Sequence, residues 1–324
     1  MNRIRRRLCA ATAALSLTPC GFAQPAAAWP IKPVKFVVPF ASGGPTDTIA
    51  RLVAQKMQEV WKQPVPIEYK PGAGTLVGTD FVAKAPPDGY TLGLAISALF
   101  INPSLQPNLP YDTQKDLAGV TQLAQAHFAL FAHPAFEPNT VPELIAWAKK
   151  NPGTLSYATP GTGTGTHLAG ELLKGMAGIE MVHVPYKGSA PAQQDVIGGR
   201  VPLLFDVMYA AMPFVKQGRL KLIALASPKR PAQEPQAPLI GDTLPGFGAM
   251  SIMGIIAPAG VPRELLRRIS GDIGRAVRDS ELTGRMAQLG MEPVGSGPEE
   301  YDALIRTEME KWARVIRAGN IKLE

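Results

Sequence analysis

Apolar residues along this chain recur in two alternating patterns: short unbroken runs rich in β-branched residues, and longer stretches at helical spacing. Residues 34–40 form one such run, as expected of a strand buried on both faces. Ala41-Ser42-Gly43-Gly44-Pro45 then turns the chain, and Ile49, Leu52, Val53, Met57, Val60 and Trp61 place a helix over 46–61. A second strand over 64–69 leads to Pro71-Gly72-Ala73-Gly74, a helix through Val82 and Ala83, and the breaker Pro86-Pro87-Asp88-Gly89. A third strand follows over 90–96. This alternation predicts α/β layers around a mainly parallel sheet.

A second α/β unit begins after the apolar stretch 120–131. It comprises helix 141–149, strand 155–158, a glycine turn over 161–165, helix 167–176, strand 181–184, helix 192–197 and strands 201–205 and 220–226. Residues 228–245, rich in proline and polar side chains, read as a long surface connection. Strand 252–257 and helices 263–278 and 301–317 come last, too few for a third core, and are expected to return to the first unit. The predicted organisation is two α/β domains, residues 24–127 plus 228–324 and residues 128–227. The chain crosses between them near 128–132 and 225–229, which makes a two-crossing hinge with the cleft between the domains.

The N-terminus changes what composition implies. Arg3, Arg5, Arg6 and Arg7 precede an apolar stretch over 8–17 that is too short to span a bilayer, and Gly21-Phe22-Ala23 offers small residues for cleavage. Residues 1–23 are predicted to be a signal peptide cleaved near Ala23, with 26–28 as a second candidate cut. Cys20 opens a lipoprotein alternative, against which Pro19 immediately before it weighs. Both cysteines, Cys9 and Cys20, leave with this segment, so the mature chain has no thiol for a disulfide or a thiolate site. The whole chain carries 33 Lys+Arg against 26 Asp+Glu, a net +7; four of those arginines and no acid lie in 1–23, so the remainder carries +3. It has no dense basic face with interleaved aromatics, so no nucleic-acid partner is expected. No later apolar run reaches the roughly 20 residues of a membrane span.

Three turns carry the candidate chemistry, each following a strand and opening a helix. They are Ser42-Gly43-Gly44-Pro45-Thr46-Asp47, Gly72-Ala73-Gly74-Thr75 and Gly161-Thr162-Gly163-Thr164-Gly165-Thr166. First helical amides lack partners within the helix and carry the positive end of its dipole. Glycine lets a ligand approach that backbone, so such a turn at the carboxyl end of a strand is a ready anion site. One glycine after a strand is usually only a tight turn; two turns flanked by Ser/Thr, one per domain, could face each other across a cleft. Neither matches Gly-x-x-x-x-Gly-Lys-Ser/Thr, and the third glycine of 161–165 comes one residue early for a dinucleotide fingerprint. A carboxylate at Asp47 repels another carboxylate, so Asp47 reads as a cap on helix amides, any ligand contact being indirect or through water. Asp206 reads as a turn residue or, more boldly, as a group that orders water or accepts from a ligand donor. Tyr186 and Lys187 could present a phenol and an ammonium to the cleft, or be packing and a solvated charge.

Local signals for catalysis are absent. Gly-x-Ser-x-Gly does not occur, and His127, His133, His167 and His183 form neither an i,i+4 pair nor His-Glu-x-x-His, so no metal and no cofactor are expected. Each histidine alone reads as a hydrogen-bonded structural residue, except that His167 opens the helix after the glycine-threonine turn. A triad assembled from distant residues stays open.

Ordered motifs run through the chain: Trp29-Pro30-x-Lys32-Pro33, Val37-Val38-Pro39-Phe40, Gly43-Gly44-x-x-Asp47-x-x-Ala50-Arg51, Pro71-Gly72-Ala73-Gly74 and Pro87-Asp88-Gly89-Tyr90-Thr91-Leu92. Asn102-Pro103-Ser104-Leu105, Leu109-Pro110-Tyr111-Asp112, Gly161-x-Gly163-Thr164-x-x-His167-Leu168-Ala169-Gly170-Glu171 and His183-Val184-Pro185-Tyr186-Lys187-Gly188 follow. Gly198-Gly199-x-Val201, Ala257-Pro258-Ala259-Gly260-x-Pro262 and Lys311-Trp312-x-x-Val315-Ile316 close the series. In these residues the chain resembles the Bug (Bordetella uptake gene) receptors, the periplasmic binding component of tripartite tricarboxylate transporters, over essentially its whole mature length.

The resemblance implies a periplasmic monomer with a type II periplasmic-binding-protein fold. Such a protein closes on a small organic carboxylate, held by backbone amides and ordered water, and serves two integral membrane transporter subunits. Carried across, the binding loops fall on Phe40, Ser42, Gly43, Gly44 and Asp47, on Gly163, Thr164 and His167, and on Asp206. Ser97 and Ala98 form a further wall, and Tyr186 stands beside them as a ligand candidate. The family usually has proline where Ser42 stands and glycine where Thr75 stands; Ser42 adds a hydroxyl, and Thr75 stiffens a turn. Which acid is bound does not follow from the family. An exported hydrolase or isomerase on the same scaffold, and a sensor read by a membrane signalling partner, stay open as alternatives.

Overall fold

The computed structural model describes residues 29–40, 42–43 and 45–322. The predicted signal peptide, Cys20 and Gly44 lie outside the described residues. Strand β1 (Lys35–Val38) leads through the first glycine turn into α1 (Pro45–Trp61), followed by β2 (Ile67–Tyr69), α2 (Leu76–Ala83), β3 (Thr91–Ile96) and α3 (Ala98–Leu105). Strand β4 (Leu117–Ala132) is 16 residues long. Beyond it come α4 (Val141–Lys150), β5 (Ser156–Thr159), α5 (Gly165–Ala177), β6 (Val182–Pro185), α6 (Ser189–Ile197), β7 (Leu203–Val207), α7 (Met208–Lys216) and β8 (Lys221–Leu225). The chain ends with β9 (Met250–Pro258), α8 (Arg263–Ala276), α9 (Ser280–Gln288), β10 (Met291–Pro293) and α10 (Pro298–Ala318).

The α/β layering matches the hydrophobic pattern, because each sheet face has its own helical cover. In β1, Phe36 and Val38 pack into a cluster with Ile49, Val53 and Met57 of α1 and Ile269 and Ile273 of α8. Val37, between them, points to the opposite cluster with Leu99 of α3 and Tyr301 of α10. That period-2 split over two covered faces is why these strands read as unbroken apolar runs.

A mainly parallel sheet is not what forms. The strand order is β2-β1-β3-β9-β4-β7-β5-β6, with β8 and β10 also on β4. The outer pairs β1–β2, β1–β3, β5–β6 and β5–β7 are parallel, whereas every pairing made by β4 or β9 is antiparallel. The difference arises because β4 and β9 are not βαβ repeats; they carry the chain out of one half of the sheet and back. Strand β4 pairs with β9 up to His127 and with β7 and β8 from Phe128 onward.

The sequence pattern does not predict helices α3 and α7, since each contains a proline, Pro103 and Pro213, that reads as a breaker. The segment 228–245 is less of a surface loop than its composition suggests. Leu239 and Ile240 are buried, Leu225 bridges Leu239, and Arg230 ties back to Asp242 at 2.6 Å. Helix α10 does return to the first half, where Tyr301 is fully buried, but its far end packs Trp312, Val315 and Ile316 in one cluster with Leu168 and Leu173 of α5. It therefore bridges both halves.

Close packing here yields a stability prediction. A Cβ on Gly254 of β9 would lie 2.1 Å from the Tyr301 hydroxyl, and that ring is 0% exposed. Gly254→Ala is expected to cost about 1–3 kcal/mol through overpacking. The Tyr301 hydroxyl is itself buried without a partner, so Tyr301→Phe alone should be neutral or stabilising. Denaturant unfolding of both single variants and the pair checks this, with the pair recovering part of the Gly254→Ala loss.

Candidate functional site

Strand directions place the glycine turns before any side chain is considered. In the first half, β1, β2 and β3 are parallel, so their carboxyl ends share one edge. That edge carries Phe40, Ser42 and Gly43 after β1, the 71–75 turn after β2, and Ser97 and Ala98 after β3. Strand β4 leaves over the same edge: Ile96 of β3 is level with Met253, which is level with Ala124, and β4 runs on past it. In the second half, β7 is antiparallel to β4 and ends at Val207, opposite Phe128. Its parallel neighbours β5 and β6 end on that edge too, with Gly161 to Thr164 after β5 and Tyr186 after β6. The two carboxyl edges therefore face each other across the His127/Phe128 junction. From Ala124, level with Met253, to Phe128 is four residues of β4, a span of about 13 Å along the strand.

The first turn is tied to its helix by Asp47. Gly43 adopts φ 97°, and its amide donates to Asp47 Oδ2 at 2.8 Å. Tyr69 at the end of β2 donates to Asp47 Oδ1 at 2.7 Å, and Arg51 Nε to Oδ2 at 3.1 Å. Burial acts to raise the Asp47 pKa, but these donors outweigh it and hold the carboxyl below its usual value. The Asp47 acceptor reaches back to the turn amide rather than capping the helix amides as the sequence suggested. Ser42 is exposed, Phe40 is half-buried against the first core, and the Ser97 hydroxyl accepts from the Ile252 amide at 3.0 Å beside Ala98, the first residue of α3. In the neighbouring turn, Ala73 and Thr75 hold φ of 45° and 83°, left-handed values that side chains rarely adopt.

The second turn is organised by threonine and histidine. Thr164 caps α5, accepting from the His167 amide at 3.2 Å while donating to the Gly161 carbonyl at 2.7 Å. Gly163, at φ 73°, donates its amide to His167 Nδ1 at 3.0 Å. Gly165 is required for a different reason: a Cβ there would strike the Phe128 ring at 2.7 Å. The spacing that argued against a nucleotide fingerprint thus seats this helix start against the strand junction.

The remaining predicted residues are pinned within the second half. Tyr186 turns its hydroxyl to Asp195 at 2.7 Å, and burial followed by that carboxylate pushes the phenol up to about 12. Asp206 is not a turn residue: it lies inside β7, fully buried, and accepts from Ser189, Gln193 and the Val207 amide, each at 2.8 Å. With neutral donors alone, burial raises its pKa. Two cavities lie nearby, one of about 350 Å³ at the junction lined by His127, Lys229, Met250, Glu292 and Lys311, and one of about 760 Å³ between α5 and α10. The glycine turns line neither.

A family model described as the tripartite tricarboxylate transporter family receptor matches residues 49–321. The chain belongs to that family. Protein BugT of Bordetella pertussis is 32% identical to this receptor over 309 residues, 94% of this chain and 95% of BugT. Among solved structures, R. palustris Rpa4515 with adipate is 31% identical at a TM-score of 0.73, covering 91% of this chain and 99% of that one. MatC from Rhodopseudomonas palustris with bound malate is 30% identical at a TM-score of 0.70, covering 89% and 100%. The two-lobed binding-protein fold expected from the sequence is therefore the fold of this receptor's relatives.

Sequence reasoning missed the cluster behind the second turn. His167 stacks on His183 at 3.7 Å with ring planes 8° apart, and His183 Nε2 lies 2.7 Å from the Thr159 hydroxyl. Tyr157 donates to Glu171 at 2.6 Å, and Lys174 pairs with the same carboxylate at 2.9 Å. The signal was available: His167 and Glu171 are one helical turn apart, and Tyr157 and His183 share one register on paired strands. Burial is the main cause that lowers both histidines to about 4, with the Lys174 charge adding to His167 and the His167 charge adding to His183.

The sign of the pH effect follows. Between about pH 4 and 6.5 the unfolded chain binds protons at these histidines that the folded receptor does not. Stability should therefore be fully present above that window and fall on acidification, each histidine contributing up to about 1.4 kcal/mol per pH unit. Denaturant unfolding at several values from pH 7 down to 4.5 measures the slope, and His183→Gln should flatten it. An equal slope in both proteins would contradict the assignment.

Proposed function

We propose that this protein is an exported receptor that closes two lobes around a small organic carboxylate and delivers it, without turnover, to the two membrane subunits of a tripartite tricarboxylate-type transporter. The lobes are residues 24–127 plus 228–324 and residues 128–227, with β4 and the return segment at 226–227 as the pivots. Cleavage near Ala23 releases the mature chain into the periplasm.

One observation carries this reading. Each half of the sheet ends in a glycine turn that opens a helix, and the two strand edges lie about 13 Å apart along β4. At the second turn the amides of Gly165 and Thr166 have no acceptor among the described residues, as expected of a helix start that receives an anion. Relatives bound to adipate and to malate support a carboxylate as the occupant. In this reading Ser42, Gly43, Gly44, Ser97, Ala98, Gly163 and Thr164 frame the ligand. Phe40 and Tyr186 form walls, and Asp47, His167 and Asp206 lie behind the surface it touches.

Thermal unfolding of residues 24–324 with adipate, malate, citrate, acidic amino acids and aromatic diacids tests the proposal. A binder at 100 times its Kd should add about 2.7 kcal/mol of stability and be recovered unchanged. Consumption of any of these acids would overturn the receptor reading, and an unchanged Tm across the panel would overturn the carboxylate.

A further inference from the structure

The turns that open α1 and α5 share little sequence beyond glycine, yet they are built alike. In each, the glycine two positions before the first helical residue has a left-handed φ, 97° at Gly43 and 73° at Gly163. In each, that glycine donates its amide to the side chain of the third helical residue, Asp47 Oδ2 at 2.8 Å or His167 Nδ1 at 3.0 Å. Both acceptors are buried, at 3% and 5% exposed. Both are held from behind by a ring on the next strand: the Tyr69 hydroxyl at 2.7 Å from Asp47 Oδ1, and His183 stacked at 3.7 Å on His167.

We infer that Asp47 and His167 are a matched pair of positioning residues, one in each lobe, that set the glycine turns without touching the ligand. This rests on the carboxylate reading proposed above. A carboxylate at Asp47 would repel an anionic ligand, and His167 Nδ1, which accepts from Gly163, has no proton to offer one. What the position demands is an acceptor of either charge type. Supplying it draws the glycine amide inward and curls the turn over the helix start; the second turn then offers the Gly165 and Thr166 amides, while in the first, where Pro45 has no N–H, Thr46 is the first helical amide. An imidazole and a carboxylate can do this equally because the bond asks only for a lone pair four residues on. The spacing Gly-x-x-x-Asp in one lobe and Gly-x-x-x-His in the other is its sequence mark.

Asparagine keeps an oxygen acceptor at either position, and alanine removes it. The test compares Asp47→Asn, Asp47→Ala, His167→Asn and His167→Ala with the wild type in two measurements. Amide exchange of Gly43 and Gly163 by NMR, without ligand, should quicken by about tenfold or more in the cognate alanine variant and stay slow with asparagine. Calorimetry with adipate and malate should show affinity about tenfold weaker in each alanine variant and near wild type with asparagine. Unchanged glycine exchange in the alanine variants would overturn the clamp. Asparagine variants that protect the glycine yet bind as weakly as alanine would show that the side chain itself meets the ligand, which also overturns it. If no acid of the panel above binds the wild type, the carboxylate reading fails separately, and the exchange data still decide the clamp.

Discussion

The backbone of β4 is the constraint on which everything else depends. Its 16 residues hydrogen-bond to β9 and β10 in one half and to β7 and β8 in the other. A strand that changes partners midway is level with the carboxyl edge of one half-sheet as it leaves and with the carboxyl edge of the other as it enters. The facing turns follow from that alone, whatever residues they contain. Burial of nearly every β4 side chain, with Leu123, Phe131 and Ala132 all at 0% exposed, keeps the strand in place through both halves.

In the two-lobe arrangement we propose, the same strand fixes where the molecule can move. Few backbone connections cross the junction: β4 at His127/Phe128, and the return at Ala226, whose amide donates to Phe128 and whose carbonyl accepts from Ala249. His127 stands at this pivot, 3% exposed, its ring nitrogens without a hydrogen bond although Glu292 lies 3.1 Å away. A cavity of about 350 Å³ lies beside it. Helix α10 works against such movement, because it packs on β4 and α3 in one half and on α5 in the other. In that reading, rotation about β4 is absorbed along this helix or by sliding against α5.

Much of this was legible in the sequence, for identifiable reasons. Strands buried on both faces gave themselves away as β-branched runs, and α1 and α5 were marked by glycine turns and clean helical spacing. Sheet direction was not legible, since nothing in an apolar run such as 252–257 tells which neighbour it will meet or from which side. Helices α3 and α7 hid behind Pro103 and Pro213, which break a helix in isolation but are tolerated when Leu99, Phe100 and Ala211 bury the rest of it. At the site, the positions were legible and their partners were not. Gly43 and Asp47 form a motif four residues apart, but Tyr69 joins them from 22 residues away and His183 joins His167 from 16 away. Periodicity reports on the face a residue occupies, not on what reaches it across strands.

Asp206 shows why the buried polar groups belong to one design rather than to chance. A carboxylate fully removed from water and offered only neutral donors carries a desolvation cost that an apolar residue in β7 would avoid. Its three donors come from Ser189 and Gln193 of α6 and from the Val207 amide, where the chain leaves β7 for α7. The group therefore stitches together the segments that form the carboxyl edge of the second half. Asp47 does likewise across α1, β2 and the first turn, and His167 does so for the second turn, α5 and β6. A binding edge made of loops has little apolar surface to order it, and hydrogen bonds are directional where hydrophobic contact is not. Placing the costly polar groups just beneath the turns orders the backbone that, in the proposed site, meets the ligand, without putting the Asp47 carboxylate against an anion.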